Sequence, residues 1–305
     1  MAPLTLSTIL LAIITVFCTL NVAASSDEVQ ALLKWKATLQ SQNTTIFLPS
    51  WTHDHNLNFS AKKTVSPCNW YGVSCDDNDR VNRLNLSLSG LNGTLDHLSF
   101  SSFPNLMYLE LSLNNFYGII PSKIGHLSNL VYLDLSANQF TGIIPLEIGE
   151  LGNLATLHLF QNQLTGSIPQ GICQMSFLSG LALGQNNLYG SIPSCFGQLF
   201  MLSNVKLNHN NISGSIPYEL GNLYNLEKLY MNSNSLTGFI PETFLNLRNL
   251  TDLSLYQNQL NGSIPREIGK LTSLKKVDLQ LNNLNGPIPS SLGEIKSILL
   301  LRLQI

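Results

Sequence analysis

The chain is 305 residues long, with 16 Lys+Arg against 18 Asp+Glu, a formal net charge of −2 and only 11% charged residues. That balance leaves no basic footprint for nucleic acid and no polybasic membrane patch, and a hydrophobic content of 44% argues against a disordered chain. Five cysteines are too few for a disulfide-packed miniprotein, so their positions carry more than their number.

Leu4 to Leu20 is an apolar run followed by Asn21-Val22-Ala23-Ala24-Ser25. Val22 and Ala24 are small enough for the −3 and −1 positions of a signal-peptidase site. The run is shorter than a membrane span needs and is dotted with Ser and Thr. Residues 1–24 are therefore read as a cleaved signal peptide. The mature chain is expected in the secretory pathway, extracellular or at the cell surface, with four cysteines in an oxidising compartment.

Residues 25–79 are read as a cap. Ser26-Asp27 followed by EVQALLKWKATL predicts an N-capped amphipathic helix with Val29, Leu32, Leu33 and Leu39 on one side. Asn43 to Val65 is polar and predicts a surface loop, and Cys68-Asn69-Trp70-Tyr71-Gly72-Val73-Ser74-Cys75 closes the segment. A helix and an aromatic segment would cover the open core edge of a stacked array.

The rest of the chain has the periodicity of such an array. Residues 80–104 form a degenerate first unit, residues 105–296 eight units of 24 residues without insertion or deletion, and residues 297–305 an incomplete unit. The pattern is N-L-x-x-L-x-L-x-x-N-x-L-x-G-x-I-P-x-x-I-G-x-L-x. A fixed period of this length with this leucine spacing predicts an α/β leucine-rich-repeat solenoid, a curved right-handed superhelix with a parallel sheet on its concave face. Leucines such as Leu130, Leu133 and Leu135 would point inward from one short strand per coil. Asparagine fills the tenth position throughout, at Asn114, Asn138, Asn162, Asn186, Asn210, Asn234, Asn258 and Asn282, where buried amides can form a ladder on backbone groups. Glycines Gly118 through Gly286 allow a sharp turn, and prolines Pro121 through Pro289 fix φ where the chain turns back.

Cys68 and Cys75 are assigned to a cap disulfide, because a metal site at zinc spacing would need a second Cys or His pair. Cys173 and Cys195 fall at positions 21 and 19 of adjacent repeats. Either they bridge, despite an offset that strains a Cα limit of roughly 7 Å, or they are two small buried thiols. His53-Asp54-His55 and Asp76-Asp77-Asn78-Asp79 match no full ligand set and are read as loop charge. No metal or other cofactor is expected. The chain contains no G-x-S-x-G elbow, P-loop, H-E-x-x-H or kinase signature, so it is not expected to be an enzyme. Seven N-x-S/T sequons, at Asn43, Asn58, Asn85, Asn92, Asn211, Asn249 and Asn261, agree with secretion; a subset is expected to carry glycan.

The run ALLKWK, then Trp51, then CNWYGVSC, then the repeated L-x-x-N-x-L-x-G-x-I-P-x-x-I-G resembles the ectodomain of plant leucine-rich-repeat receptor-like kinases, most nearly the subgroup of the MDIS1-interacting receptor kinase 2 type. The likeness covers Ser25 to Ile305. It implies peptide or protein ligands, docking of a co-receptor leucine-rich-repeat kinase, and a membrane helix and Ser/Thr kinase domain beyond further repeats. The chain stops inside the strand of a repeat at Arg302-Leu303-Gln304-Ile305, which reads as a fragment cut before that membrane and kinase region. A secreted glycanase inhibitor or a kinase-less receptor-like decoy uses the same repeat type and stands as the rival.

Ligand contacts are expected at strand positions 3, 4, 6, 8 and 9. These supply His158 and Phe160 from the third repeat, Gln185 from the fourth, Lys206, Asn208 and His209 from the fifth, Lys228, Tyr230 and Asn232 from the sixth, and Ser254 and Tyr256 from the seventh. The fourth strand is reduced to Ser179, Gly180, Ala182 and Gly184, predicting a shallow groove flanked by Phe160, Tyr230 and Tyr256. An extended peptide is expected there, with Lys206 or Lys228 pairing an acidic group and the aromatics supplying rigid contact area.

Overall fold

A computed structural model describes residues 26–41, 48–52 and 66–303. The signal peptide, Asn43, Asn58 and the His53-Asp54-His55 run lie outside these described residues.

Residues 26–36 are helical and bury Val29, Ala31, Leu32 and Trp35, with Leu39 just beyond, while Leu33 is only partly covered. Trp35 donates from Nε1 to the Thr94 carbonyl at 2.9 Å and stacks on Phe116 with ring centroids 5.8 Å apart. Trp51 packs on Trp70 at 5.6 Å and donates to the Tyr71 carbonyl. Trp35 and Trp51 thus each have both an apolar neighbour and a partner for the N–H, as a buried indole requires. Cys68 and Cys75 are bridged, with Cα atoms 5.4 Å apart.

The leucine columns build an eleven-stranded sheet. Val73–Cys75 opens it antiparallel to Val81–Asn85, and every later strand is parallel. Pairing keeps an exact period: Tyr132 lies beside Thr156, Thr156 beside Gly180 and Gly180 beside Asn204, always 24 residues on. Inward leucines of successive coils therefore stack in unbroken columns, and Leu133, Leu157 and Leu229 are fully buried.

The repeat pattern predicts one strand per coil, but the structure has two. Positions 11 to 15, for example Gln163–Ser167, pair into a second sheet of ten strands. The glycine read as a turn does have left-handed backbone, with φ +82° at Gly166, but it sits inside this second strand. A Cβ there would come within 2.8 Å of Ile143 Cγ2 in the preceding coil. Here the register differs: Thr165 pairs with Asn187 and Ser213 with Ser235, 22 residues on. Each coil thus shifts by two residues relative to its neighbour between the strand face and the back.

The return side of each coil is a short 3₁₀ turn, such as Gln170–Gln174 or Ser194–Gln198, entered from proline at extended ψ. The five residues of each such turn are too few for an α-helix to develop. The tenth-position asparagines tie coil to coil. Asn186 donates from Nδ2 to the carbonyls of Leu159, Leu183 and Gly184, and its Oδ1 accepts the Leu164 N–H. The same bonding recurs at Asn114, Asn138, Asn162, Asn210, Asn234, Asn258 and Asn282, and it satisfies backbone groups that the turn leaves without sheet partners.

Candidate ligand-binding face

Sheet pairing sets one row of side chains across five strands: His158, Ala182, Lys206, Tyr230 and Ser254. At about 4.8 Å per strand the row runs roughly 19 Å. Two residues further along each strand lie Phe160, Gly184, Asn208, Asn232 and Tyr256. Ala182 and Gly184 are buried at the floor, and Phe160, Tyr230 and Tyr256 are half-buried on either side. A Cβ at Gly184 would meet Asn208 Oδ1 at 2.7 Å, so the glycine lets Asn208 lean over the fourth strand.

On the cap side, His158 packs edge-on against Tyr132 at 5.7 Å and Phe160 at 6.1 Å, and the Tyr132 hydroxyl lies 3.4 Å from His158 Nδ1. Burial pushes the His158 imidazole below its ordinary pKa; Asp134 pulls it back up, and Lys206 pushes it further down. On the far side, the Tyr230 hydroxyl donates to Asp252 Oδ1 at 3.2 Å, and Lys276 Nζ lies 3.5 Å from the same carboxylate. Burial and the Asp252 charge raise the Tyr230 hydroxyl to about 12. Burial alone would raise Asp252, but hydrogen bonds from Thr251 and Tyr230 and the Lys276 charge hold it below the usual carboxylate range.

The expected residues thus fall into two clusters on either side of a low strip. Exposed Lys206 stands between them on the fifth strand and half-buried Lys228 lies on the sixth, the strand of Tyr230; among the described residues neither is in a salt bridge. Gln185 and His209 are exposed at the left-handed corner that ends each strand stretch, with φ +55° and +54°. Asn232 corrects the expectation of an exposed contact: it is buried at 5% exposure, and its Nδ2 lies 3.4 Å from Ser233 Oγ. Tyr132, Asp252 and Lys276 all occupy the fourth position of their repeats, one of the expected contact positions, and it is the contacts across strands that bring them into these clusters.

Cys173 and Cys195 are bridged, with Cα atoms 5.8 Å apart. Among the sequons, Asn211 and Asn261 are exposed. Asn249 is exposed but donates to the Tyr224 carbonyl. Asn85 is half-buried and engaged with Glu110, and half-buried Asn92 lies in a strand paired on both sides. Among the described residues no helix is long and apolar enough to cross a membrane.

The solenoid with its helical cap defines a class of protein, and comparison with known sequences places the chain in it. Residues 86–260 match the family described as "Leucine-rich repeat region", residues 25–76 the "Leucine rich repeat N-terminal domain" and residues 273–295 a single "Leucine Rich Repeat"; the chain belongs to the leucine-rich-repeat family. It is 45% identical over 126 residues to MDIS1-interacting receptor like kinase 2 of Arabidopsis thaliana, covering 41% of this chain and 11% of that one. The matched stretches span 7–11% of the curated relatives' own lengths. Among solved structures, the ectodomain of the Arabidopsis thaliana receptor kinase GASSHO1/SCHENGEN3, in complex with CASPARIAN STRIP INTEGRITY FACTOR 2, superposes with a TM-score of 0.82 at 35% identity, over 89% of this chain and 32% of its own. The Arabidopsis receptor kinase HAESA, in complex with the peptide hormone IDA and the co-receptor SERK1, matches with a TM-score of 0.63 at 28% identity, over 90% of this chain and 53% of its own.

Proposed function

We propose that this chain is the extracellular ligand-sensing region of a plant cell-surface receptor-like Ser/Thr kinase, and that it binds a peptide or protein on the strand face. The observation that carries the reading is the row from His158 to Tyr256, in which half-buried aromatics flank a strip narrowed to Ala182 and Gly184. Such a strip admits an extended backbone, while the aromatics offer rigid contact area at low entropy cost. Lys206 and Lys228 supply charge for an acidic group on the ligand. The kinship with receptor kinases and the likeness to ectodomains solved with peptides support the same reading. Catalysis is assigned to a kinase region of the parent receptor rather than to these repeats, and docking of a co-receptor kinase is proposed by the same kinship.

The test is capture of peptides from plant extracellular fluid on the secreted protein, read by mass spectrometry, for wild type and for the double variant Phe160→Ala/Tyr256→Ala. A peptide enriched by wild type and lost by a folded double variant is expected. Equal capture by both would remove the strand face as the binding site.

A further inference from the structure

A groove of about 690 Å³ runs beside the strand face, at the entry ends of the strands, from Asp76 in the cap to Met201 in the fifth repeat. Its walls are repeat positions 1 and 3, which lie outside the row from His158 to Tyr256. Position 1 is normally asparagine, and that asparagine has a visible job. Asn129 donates to the Pro104 carbonyl, Asn153 to Ser128, Asn225 to Phe200 and Asn249 to Tyr224, each at 2.8–2.9 Å, so a second ladder ties coil to coil along this edge.

Two consecutive rungs are missing. Phe177 and Met201 stand where asparagine would, and they are 58% and 52% exposed. Replacing a bridging amide with an apolar side chain that stays more than half exposed forfeits a hydrogen bond and returns only part of the burial that such a side chain can gain. The two side chains join Met107, Val131 and Ala155 in one apolar wall that spans five coils, about 24 Å from Asn82 to Met201. That length matches roughly seven residues of extended peptide. The cap end of the groove is acidic: Asp76 is the one charged residue among the described lining residues, with Asp77 and Asp79 exposed beside it. Backbone N–H groups of Asn78 and Arg80 and the Asn105 amide hold the Asp76 carboxylate in place.

We propose that this edge groove docks an extended peptide segment of a partner, with apolar side chains seated on Phe177, Met201 and Met107 and a basic residue at the Asp76 end. The site is separate from the strand-face row and stands whether or not that row binds a ligand.

The probe is a phage-displayed library of random nonapeptides, selected on the full secreted chain. Enriched sequences should carry apolar residues at alternate positions and a Lys or Arg at one end. A synthetic peptide of that consensus should lose at least tenfold in affinity on Phe177→Asn/Met201→Asn, a variant that restores the missing rungs and is expected to fold at least as well as wild type, with both proteins produced free of N-glycan because the new Asn-Leu-Ser triplets at 177–179 and 201–203 are sequons. Phe160→Ala/Tyr256→Ala should leave its affinity unchanged. Exchanging the basic residue of the peptide for Glu should abolish binding to wild type, a readout that needs no protein variant. Failure to enrich such peptides, retention of affinity by Phe177→Asn/Met201→Asn, or loss only in Phe160→Ala/Tyr256→Ala would each overturn the proposal.

Discussion

Cys173 and Cys195 lie 22 residues apart, and that number equals the register of the back sheet rather than the repeat length. On the strand face a residue meets its counterpart 24 positions on. By the time the chain reaches the 3₁₀ turns, neighbouring coils have slipped by two residues, so position 21 of one faces position 19 of the next. The offset that strains a bridge on paper is what brings the two Cα atoms to 5.8 Å. The bridge fastens the third repeat to the fourth, beside the low strand of the candidate site.

Loss of this bridge should therefore lower stability locally. Closing a loop of this length is worth about 3 kcal/mol in the chain-entropy picture. The variant Cys173→Ser/Cys195→Ser is expected to unfold at lower urea, with the drop confined to the repeats around the pair when followed by hydrogen exchange. Mapping without reduction should recover the two cysteines in one linked peptide from wild type.

Glu28 gives the cap a pH dependence with a definite sign. Its Oε1 accepts the Val81 N–H at 3.2 Å, while buried Oε2 and the nearby buried Arg80 Nε have no partner among the described residues. Burial raises its pKa from 4.5 to about 7, against lowering by the Val81 bond and the Arg80 charge and a further rise from Asp76. The folded state thus holds a proton that the unfolded chain has lost, so stability falls as pH rises from about 4.5 to about 7, by up to roughly 3 kcal/mol. His158, with its pKa lowered by burial, works in the opposite direction, so the useful quantity is a difference between proteins. Glu28→Gln should match wild type in urea midpoint near pH 5 and exceed it near pH 7.5. Equal midpoints at both values would show that Glu28 does not titrate in this window.

How much of the molecule is legible in the sequence depends on how local each residue's task is. The leucines, the tenth-position asparagines and the glycines with positive φ repeat the same task in every coil, so their spacing alone announces the solenoid. The second sheet is different. Asn187–Gly190 has no strand-forming character of its own, and it is extended because coils on both sides pair with it. The Cys173–Cys195 geometry depends on the same inter-coil slip, which no single repeat contains. Asn232 reads as exposed by its position and is buried by its neighbours. The edge groove did leave a trace: Phe177 and Met201 break the column of leading asparagines. Its meaning needed the hydrogen bonds that the intact rungs make.

The ladder predicts an asymmetry between two similar substitutions. Asn186 serves three carbonyls through Nδ2 and one N–H through Oδ1. Asn186→Asp keeps the acceptor but places a carboxylate against three carbonyl oxygens. Asn186→Ala takes this acceptor from the buried Leu164 N–H and leaves the carbonyls of Leu159, Leu183 and Gly184 to their other donors, Asn162, Asn210 and the Gln161 N–H, at a cost of about 1–3 kcal/mol. Both variants should be destabilised, and, measured as a difference from wild type at each pH, the loss should grow from pH 4 to 7 in Asn186→Asp alone as its carboxyl ionises. Because a solenoid transmits stability between neighbours, exchange protection should fall first in residues 159–188. Uniform loss along the chain would contradict this account.

The cap and the repeats are joined by a line of rings. Trp70 lies on Trp51, Trp51 is 6.5 Å from Trp35, Trp35 stacks on Phe116, and Phe116 stacks on Phe140 at 6.3 Å. Trp35 is the link, fully buried and bonded to the Thr94 carbonyl. Trp35→Ala would open a cavity at the junction and orphan that carbonyl, costing about 3–5 kcal/mol. Trp35→Phe retains a ring against Phe116 but loses the N–H and part of the indole volume, so it should cost about 1–3 kcal/mol. The expected result is a graded fall in unfolding midpoint, wild type above Trp35→Phe above Trp35→Ala, with protease cleavage appearing first at the cap. If Trp35→Ala unfolded at the wild-type midpoint, the cap would not be coupled to the repeat core through this ring.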